Sequence, residues 1–356
     1  MPEAIISSTP DIAPLVGTVI AVQANFCQVQ IDRDTPIVGG LCILCTRRSR
    51  LKKIGIRAIV GDRVVVEEAD WQGNRGVVAD VFPRRSELDR PPIANVDRVL
   101  LLFALAEPPL EPLLLSKFLV KAESTGLEVS ICLNKSDLVS DLERRQWCER
   151  LTSWGYEPIV ISVETGMGIP ELQARLDRQI TVFAGHSGVG KSSLTNALIP
   201  DCNIRVATVS GKLNRGRHTT RHVELFSLPT GGSIADTPGF NQPDLTCSPI
   251  ELPAYFPEIR ERLATGHCQF GDCSHRDEPN CIVRGNWERY SHYLEFFAEA
   301  TVWQQQINSQ RNPENTLKQK SSSGRKKLEP KLESKYRQVS RHTELQSLDE
   351  MSEDLD

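Results

Sequence analysis

Residues 180–198 read ITVFAGHSGVGKSSLTNAL, an apolar run, a glycine-rich turn and a helix-forming stretch in that order. The turn matches G-x-x-x-x-G-K-[ST] in full, with Gly185, Gly190, Lys191 and Ser192 at the required positions. A strand before such a turn and a helix after it let backbone N–H groups wrap phosphates at a helix N-terminus. The contact run is Gly185, His186, Ser187, Gly188, Val189, Gly190, Lys191, Ser192 and Ser193. Within it Lys191 reaches the β and γ phosphates and the Ser192 hydroxyl holds Mg²⁺. A G-x-S-x-G hydrolase elbow is excluded, because Val189 stands at its final glycine position.

Working outward, residues 234–240 read IADTPGF: Asp236 is placed to hold Mg²⁺ through water, and the Gly239 N–H to meet the γ-phosphate. Upstream lies CLNKSDL at 132–138, whose N-K-x-D pattern identifies guanine. The Asp137 carboxylate accepts from N1–H and the exocyclic amine, a pair that adenine does not present. Lys135 stacks its stem along the base and Asn134 ties the loop to the phosphate turn. Ser162 and Val163, in SVETG, match a supporting base loop usually written Ser-Ala; a backbone N–H does the work there, so the valine is tolerated.

The order is inverted. The base reader precedes the phosphate grip and D-x-x-G, whereas ordinary P-loop GTPases run the other way. Joining the ends of an ordinary domain and cutting it after D-x-x-G gives this order, and LDRQI supplies a short join before residues 180–184. The consequence expected of this circular permutation is mechanical: the segment after D-x-x-G leads straight into the C-terminal part of the chain and can pull on it.

The rest of the 356 residues frames this core. Before it, GTVIAVQ, CQVQID, LCILC, DRVVVEE and GVVADVF are short runs with period-two alternation, predicting a five-stranded OB-like barrel. Arg47, Arg48, Arg50, Lys52 and Lys53 fall on one connection in it, either a solvated loop or a set of RNA phosphate contacts. From RVLLLFAL onward strands alternate with helices, predicting a doubly wound, mainly parallel sheet. Beyond residue 243 come helical signals and HCQFGDCSHRDEPNC, in which Cys268, Cys273, His275 and Cys281 form a closed Cys₃His set for structural Zn²⁺. His267 is a neighbour of that set, not a ligand.

The expected organisation is multidomain: a disordered N-terminus (1–14), an OB-fold β-barrel (15–88), a circularly permuted α/β P-loop GTPase domain (89–245), an α-rich zinc-binding domain (246–312) and a charged disordered tail (313–356). The net charge of −4 excludes a uniformly basic nucleic-acid binder and confines RNA contact to local patches. The first residues lack a signal-peptide pattern and no run is apolar enough to span a bilayer, so a cytoplasmic location is expected, with ten cysteines in a reducing compartment.

The barrel, the permuted motifs and the Cys/His spacing together resemble the ribosome small-subunit-dependent GTPase A family (RsgA, also called YjeQ), over about residues 15–312; the RPPIANVD linker also looks like that family's. The resemblance implies one Zn²⁺ per chain and Mg²⁺ with GTP. It further implies GTP/GDP and the small ribosomal subunit rRNA as partners, a clasp that a monomer suffices to make, and hydrolysis that times release from a maturing subunit. GRHTTRH at 216–222 looks like the family's switch segment, in which Thr219 or Thr220 meets Mg²⁺ and the γ-phosphate. Phe240 stands where many GTPases carry a water-orienting glutamine, so intrinsic turnover is expected to be slow. His218 then either positions water once the ribosome orders the loop, or only contacts RNA or solvent. A nucleotide-gated RNA-binding module is a second reading. A P-loop ATPase or kinase is a third, which Asp137 disfavours.

Overall fold

A computed structural model of the chain describes residues 15–32, 40–89, 92–199, 223–236, 243–311, 317–322 and 325–330. His218, Thr219, Thr220, Gly239 and Phe240 lie outside them, as does the segment 1–14.

Strands β1 (Leu15–Gln23), β2 (Phe26–Ile31), β3 (Cys42–Arg47), β4 (Arg63–Asp70) and β5 (Arg75–Val81) close a barrel in the order β1-β2-β3-β5-β4. Alternation decides which side chains enter: Cys27, Val29 and Ile31 are fully buried while Phe26 and Gln28 face out. The basic connection is not a loop throughout. Arg47 ends β3, and Ser49–Lys53 forms one helical turn, α1, whose Leu51 joins the barrel core. Arg48 is engaged by the barrel's own Glu67 at 2.7 Å and Glu68 at 3.2 Å, whereas Arg50 and Lys53 are exposed.

The linker is built rather than slack. Strands β6 (Glu87–Asp89) and β7 (Pro92–Ala94) pair with each other, Ile93 bridges to Val60, and the Ala94 N–H donates to the Val60 carbonyl at 2.8 Å. Asn95, buried, donates to the Gly61 carbonyl at 2.9 Å. Gly61 is irreplaceable there, since a Cβ would come 2.0 Å from the Ala94 carbonyl oxygen. The fully buried Asp62 receives Arg84 Nε at 2.8 Å and Nη2 at 3.0 Å, so a charge that would be costly alone is paired.

The central sheet runs β8 (Arg98–Ala104), α2 (Pro112–Glu123), β9 (Glu128–Asn134), α3 (Asp141–Ser153), β10 (Pro158–Val160), α4 (Ile169–Leu176), β11 (Ile180–Ala184), α5 (Lys191–Leu198), β12 (Leu225–Ser227) and β13 (Ser233–Asp236). Its strand order is β10-β9-β8-β11-β13-β12, parallel except for the β12–β13 pair. All seven residues of β8 are buried, as a strand covered on both faces requires.

The C-terminal part packs α6 (Pro257–Thr265) and α7 (Tyr290–Arg311) around Leu245, Cys247, Leu252, Phe256, Trp287, Tyr293 and Phe296, and Val120 of α2 belongs to the same core. Polar contacts fasten it further to α2 and α3. Arg289 is wholly buried, donating from Nε to Ser116 Oγ at 2.9 Å and pairing with Glu258 at 3.1 Å, with Phe256 and Trp154 rings 4.5 and 5.1 Å from its guanidinium. The Glu288 carboxylate accepts from Trp154 Nε1 at 2.8 Å and from Arg150; Glu123 accepts from Tyr156 and Arg260; Lys117 pairs with Glu299 at 2.7 Å.

Beyond α7, where the sequence predicts a disordered tail, β14 (Leu317–Ser322) and β15 (Arg325–Pro330) pair as an antiparallel hairpin with Ser322 opposite Arg325. No helix among the described residues is long and apolar enough to cross a membrane.

Candidate nucleotide and metal sites

The phosphate turn leaves β11 at Ala184 and enters α5 at Lys191. Gly185 and Gly190 have φ of +144° and +98°. A Cβ at Gly185 would come 2.1 Å from the Leu102 carbonyl oxygen and one at Gly190 2.4 Å from Asn134 Nδ2, so both glycines are set by close approach as well as by backbone angle. Lys191 Nζ donates to the Gly185 and His186 carbonyls, each at 2.8 Å, which lays the ammonium across the loop. Ser192 and Ser193 sit in the first turn of α5. Asp236 ends β13 in register with Phe183, two residues before Gly185, and so lies at the same sheet end as the phosphate turn.

The N-K-x-D loop, residues 134–137, converges on that turn from the other half of the sheet. Asn134 closes β9, donates from Nδ2 to the Val189 carbonyl at 2.9 Å and accepts the Val163 N–H at 3.3 Å, joining all three loops with one buried amide. Ser162, fully buried, accepts the Thr165 N–H at 3.1 Å and donates to Asp137 Oδ1 at 2.5 Å. That bond orients the exposed Asp137 carboxylate and leaves its other lone pairs for a ligand's donors. The sequence-derived pairing of 134–137 with 162–163 and 185–193 is therefore a spatial one.

One contributor has no sequence signal. The Lys135 ammonium donates to the Glu107 carbonyl, in the β8–α2 loop, and Pro108 of that loop is the nearest neighbour to a Cβ built on Gly188. Both Glu107 and Lys135 hold positive φ, at +52° and +58°. A backbone acceptor in an otherwise ordinary proline-rich loop cannot be foreseen from residue types.

The second centre lies in the loops between α6 and α7. Ligand atoms of Cys268, Cys273, His275 and Cys281 lie within 4.8 Å of one another. Cys268 Sγ is 3.8 Å from Cys281 Sγ, and His275 Nδ1 is 3.6 and 3.5 Å from those two sulfurs. A tetrahedral ion with metal–sulfur bonds of about 2.3 Å and a metal–nitrogen bond of about 2.05 Å has edges of roughly 3.8 and 3.6 Å. The fit assigns Nδ1 as the ligating nitrogen.

Burial, together with the neighbouring Cys281 and Cys268, pushes the Cys273 thiol up to about 12, and burial lowers His275. Such a cluster is stable as thiolates only around a cation. The surroundings hold it: Tyr290 OH donates to the His275 carbonyl at 3.0 Å, and Glu278 accepts from Ser274 N, Ser274 Oγ and Arg276 N at 2.8, 2.5 and 2.9 Å. His267 is exposed and outside the set.

Comparison with known proteins gives a consistent result. Residues 81–246 match the model of the RsgA GTPase family. A protein from Nostoc sp. strain PCC 7120 named small ribosomal subunit biogenesis GTPase RsgA 1 is 60% identical over 357 residues, spanning 95% of this chain and 96% of the relative. One of the same name without the numeral, from Thermosynechococcus vestitus, is 48% identical over 96% of this chain and 98% of its own. Among solved structures, YjeQ from Thermotoga maritima aligns with 33% identity and a TM-score of 0.67 over 80% of this chain and 98% of its own. YloQ, described as a circularly permuted GTPase, aligns with 32% identity and a TM-score of 0.68 over 83% and 97%.

Proposed function

The chain belongs to the RsgA/YjeQ family of circularly permuted GTPases, and from that premise we propose that it hydrolyses GTP to GDP and phosphate while bound to the rRNA of the small ribosomal subunit late in its maturation. Turnover is slow in the free protein and stimulated by the subunit, and hydrolysis times release. The protein works in the cytoplasm as a monomer, with the barrel (15–88) and the zinc domain (246–312) flanking the GTPase domain (89–245).

The observation that supports this reading is the Asn134–Val189 and Ser162–Asp137 bonding, which brings the N-K-x-D loop and the 162–163 loop together beside the 185–193 turn in permuted order. Guanine donates N1–H and its amine to Asp137. Adenine, lacking both donors, leaves the carboxylate unpaired, which disfavours ATP. Lys191 and the N–H groups of residues 185–193 hold the β and γ phosphates. Ser192, Asp236 and either Thr219 or Thr220 would hold Mg²⁺, which supplies charge neutralisation at those phosphates. Gly239 donates to the γ-phosphate, and His218 positions the attacking water. Zn²⁺, held by Cys268, Cys273, His275 and Cys281, supplies structure, since four protein ligands leave no position for a reacting water. Arg47, Arg50, Lys52 and Lys53 contact rRNA phosphates; Arg48, held by Glu67 and Glu68, contributes less.

Steady-state GTP and ATP hydrolysis with and without purified small subunits tests this. GTP turnover rising by orders of magnitude only with subunits is the expected result. Equal ATP turnover would remove the guanine assignment, and GTP turnover indifferent to subunits would remove the partner. Loss of stimulation in His218→Ala is expected; full stimulation would move the catalytic role elsewhere.

A further inference from the structure

The barrel contacts the catalytic sheet at β12, the strand that pairs with the Asp236-bearing β13. β1 carries a bulge between Val19 and Ala21. Beside it, strand alternation divides neighbours between two cores: Val19 stays in the barrel, while Ile20 enters the core that holds Val223 and Leu225 of the GTPase domain. At the bulge Ala21 makes an antiparallel bridge to Glu224. At the other end of β12, Ser227 Oγ donates to Gln30 Oε1 on β2 at 2.5 Å, with both residues half-buried. β12 is thus held at both ends by the barrel and along its length by β13, which ends at Asp236.

A barrel that fixes β12 therefore bears, through the β12–β13 pairing, on Asp236 at the end of β13. Resting on the function proposed above, we infer that Gln30 and Ser227 are positioning residues for hydrolysis. Their bond transmits the barrel's hold on RNA to β12 and, through β13, to Asp236, the residue proposed above to hold Mg²⁺. Neither residue is in the nucleotide site, so their removal leaves GTP binding intact and acts on the stimulated rate.

The test uses the full chain and a double-mutant cycle, Gln30→Ala, Ser227→Ala and both, read as kcat of GTP turnover against small-subunit concentration. Each single substitution is expected to lower the stimulated kcat about 5-fold, the factor one hydrogen bond supports. GTP affinity, subunit affinity and unstimulated turnover stay unchanged. The double variant is no worse than the singles, and Gln30→Glu, which keeps the acceptor, retains the wild-type rate. Unchanged kcat in the singles, or losses that multiply in the double, overturns the inference. Should the wild-type protein show no stimulation, it is the proposed function that fails. The contact is then judged by amide hydrogen exchange over residues 223–226 with a bound GTP analogue: faster exchange in Ser227→Ala supports it, and equal exchange overturns it.

Discussion

The two accessory domains are joined to the GTPase domain by different materials. On the barrel side the joint is largely main chain: the Val60–Ile93 and Ala21–Glu224 bridges and the Asn95–Gly61 bond, over a shared apolar core. On the side of the Cys₃His domain it is side chain against side chain: Arg289, held by Glu258 of its own domain, with Ser116, Glu288 with Trp154 and Arg150, Glu123 with Arg260. A main-chain joint transmits position through strands and leaves only its side-chain contacts, such as Ser227–Gln30, open to single substitutions. A joint that hangs on the buried Arg289 is specific and brittle, because removing that side chain strands Glu258 in a dry environment.

The largest effect is expected within the brittle half. Cys273→Ser, or strong chelation, should abolish bound metal, measured as moles of zinc per chain. It should also open residues 266–290 to limited proteolysis while GTP binding survives, since structural zinc contributes on the order of 10 kcal/mol to its own domain. Loss of GTP binding along with the metal would show that the two halves fold as one.

Next, Arg289→Ala should destabilise by about 3–5 kcal/mol, read in denaturant unfolding, by leaving Glu258 alone. Burial raises the Glu258 carboxyl above its usual range, with Arg289 pulling it back. In the variant the folded state favours the neutral acid. The deficit should therefore shrink below the unfolded carboxylate value of about 4.3 and be complete once pH rises through the elevated folded value. A deficit independent of pH would mean that lost packing, rather than the stranded charge, sets it.

On the barrel side, Arg84→Ala removes the partner of buried Asp62 but leaves the Ile59 N–H donating to it at 2.7 Å. A smaller loss of about 2 kcal/mol is expected. A loss as large as that of Arg289→Ala would erase the contrast between the joints. Lys117→Ala should be least, roughly 0.5 kcal/mol, because the Lys117–Glu299 pair is partly exposed and screened.

The same contrast governs what the sequence discloses. The barrel strands and the phosphate, guanine and metal motifs are legible because each depends on local spacing: alternation in CQVQID, glycines in GHSGVGKS, cysteines around SHR. The joints are not. Arg289 in NWERY has the composition of a surface residue, and its partners Ser116 and Glu258 lie 173 and 31 residues away in sequence. The Gly61–Ala94 approach and the Glu107 carbonyl under Lys135 are main-chain contacts with no side-chain signature at all. β7 was hidden by its leading proline, which argues against a strand except at an edge, and β14–β15 by a polar, charged composition without apolar alternation.

β12 is the last strand of the catalytic sheet, with β13 on one side only. An open strand edge is a template for pairing with other chains, and here β1 of the barrel lies against it at Ala21. A GTPase domain severed from its barrel should therefore be prone to aggregate before it is inactive. Order of synthesis favours the intact chain: residues 15–81 leave the ribosome well before residue 225, so the cover is available when the edge it protects is made.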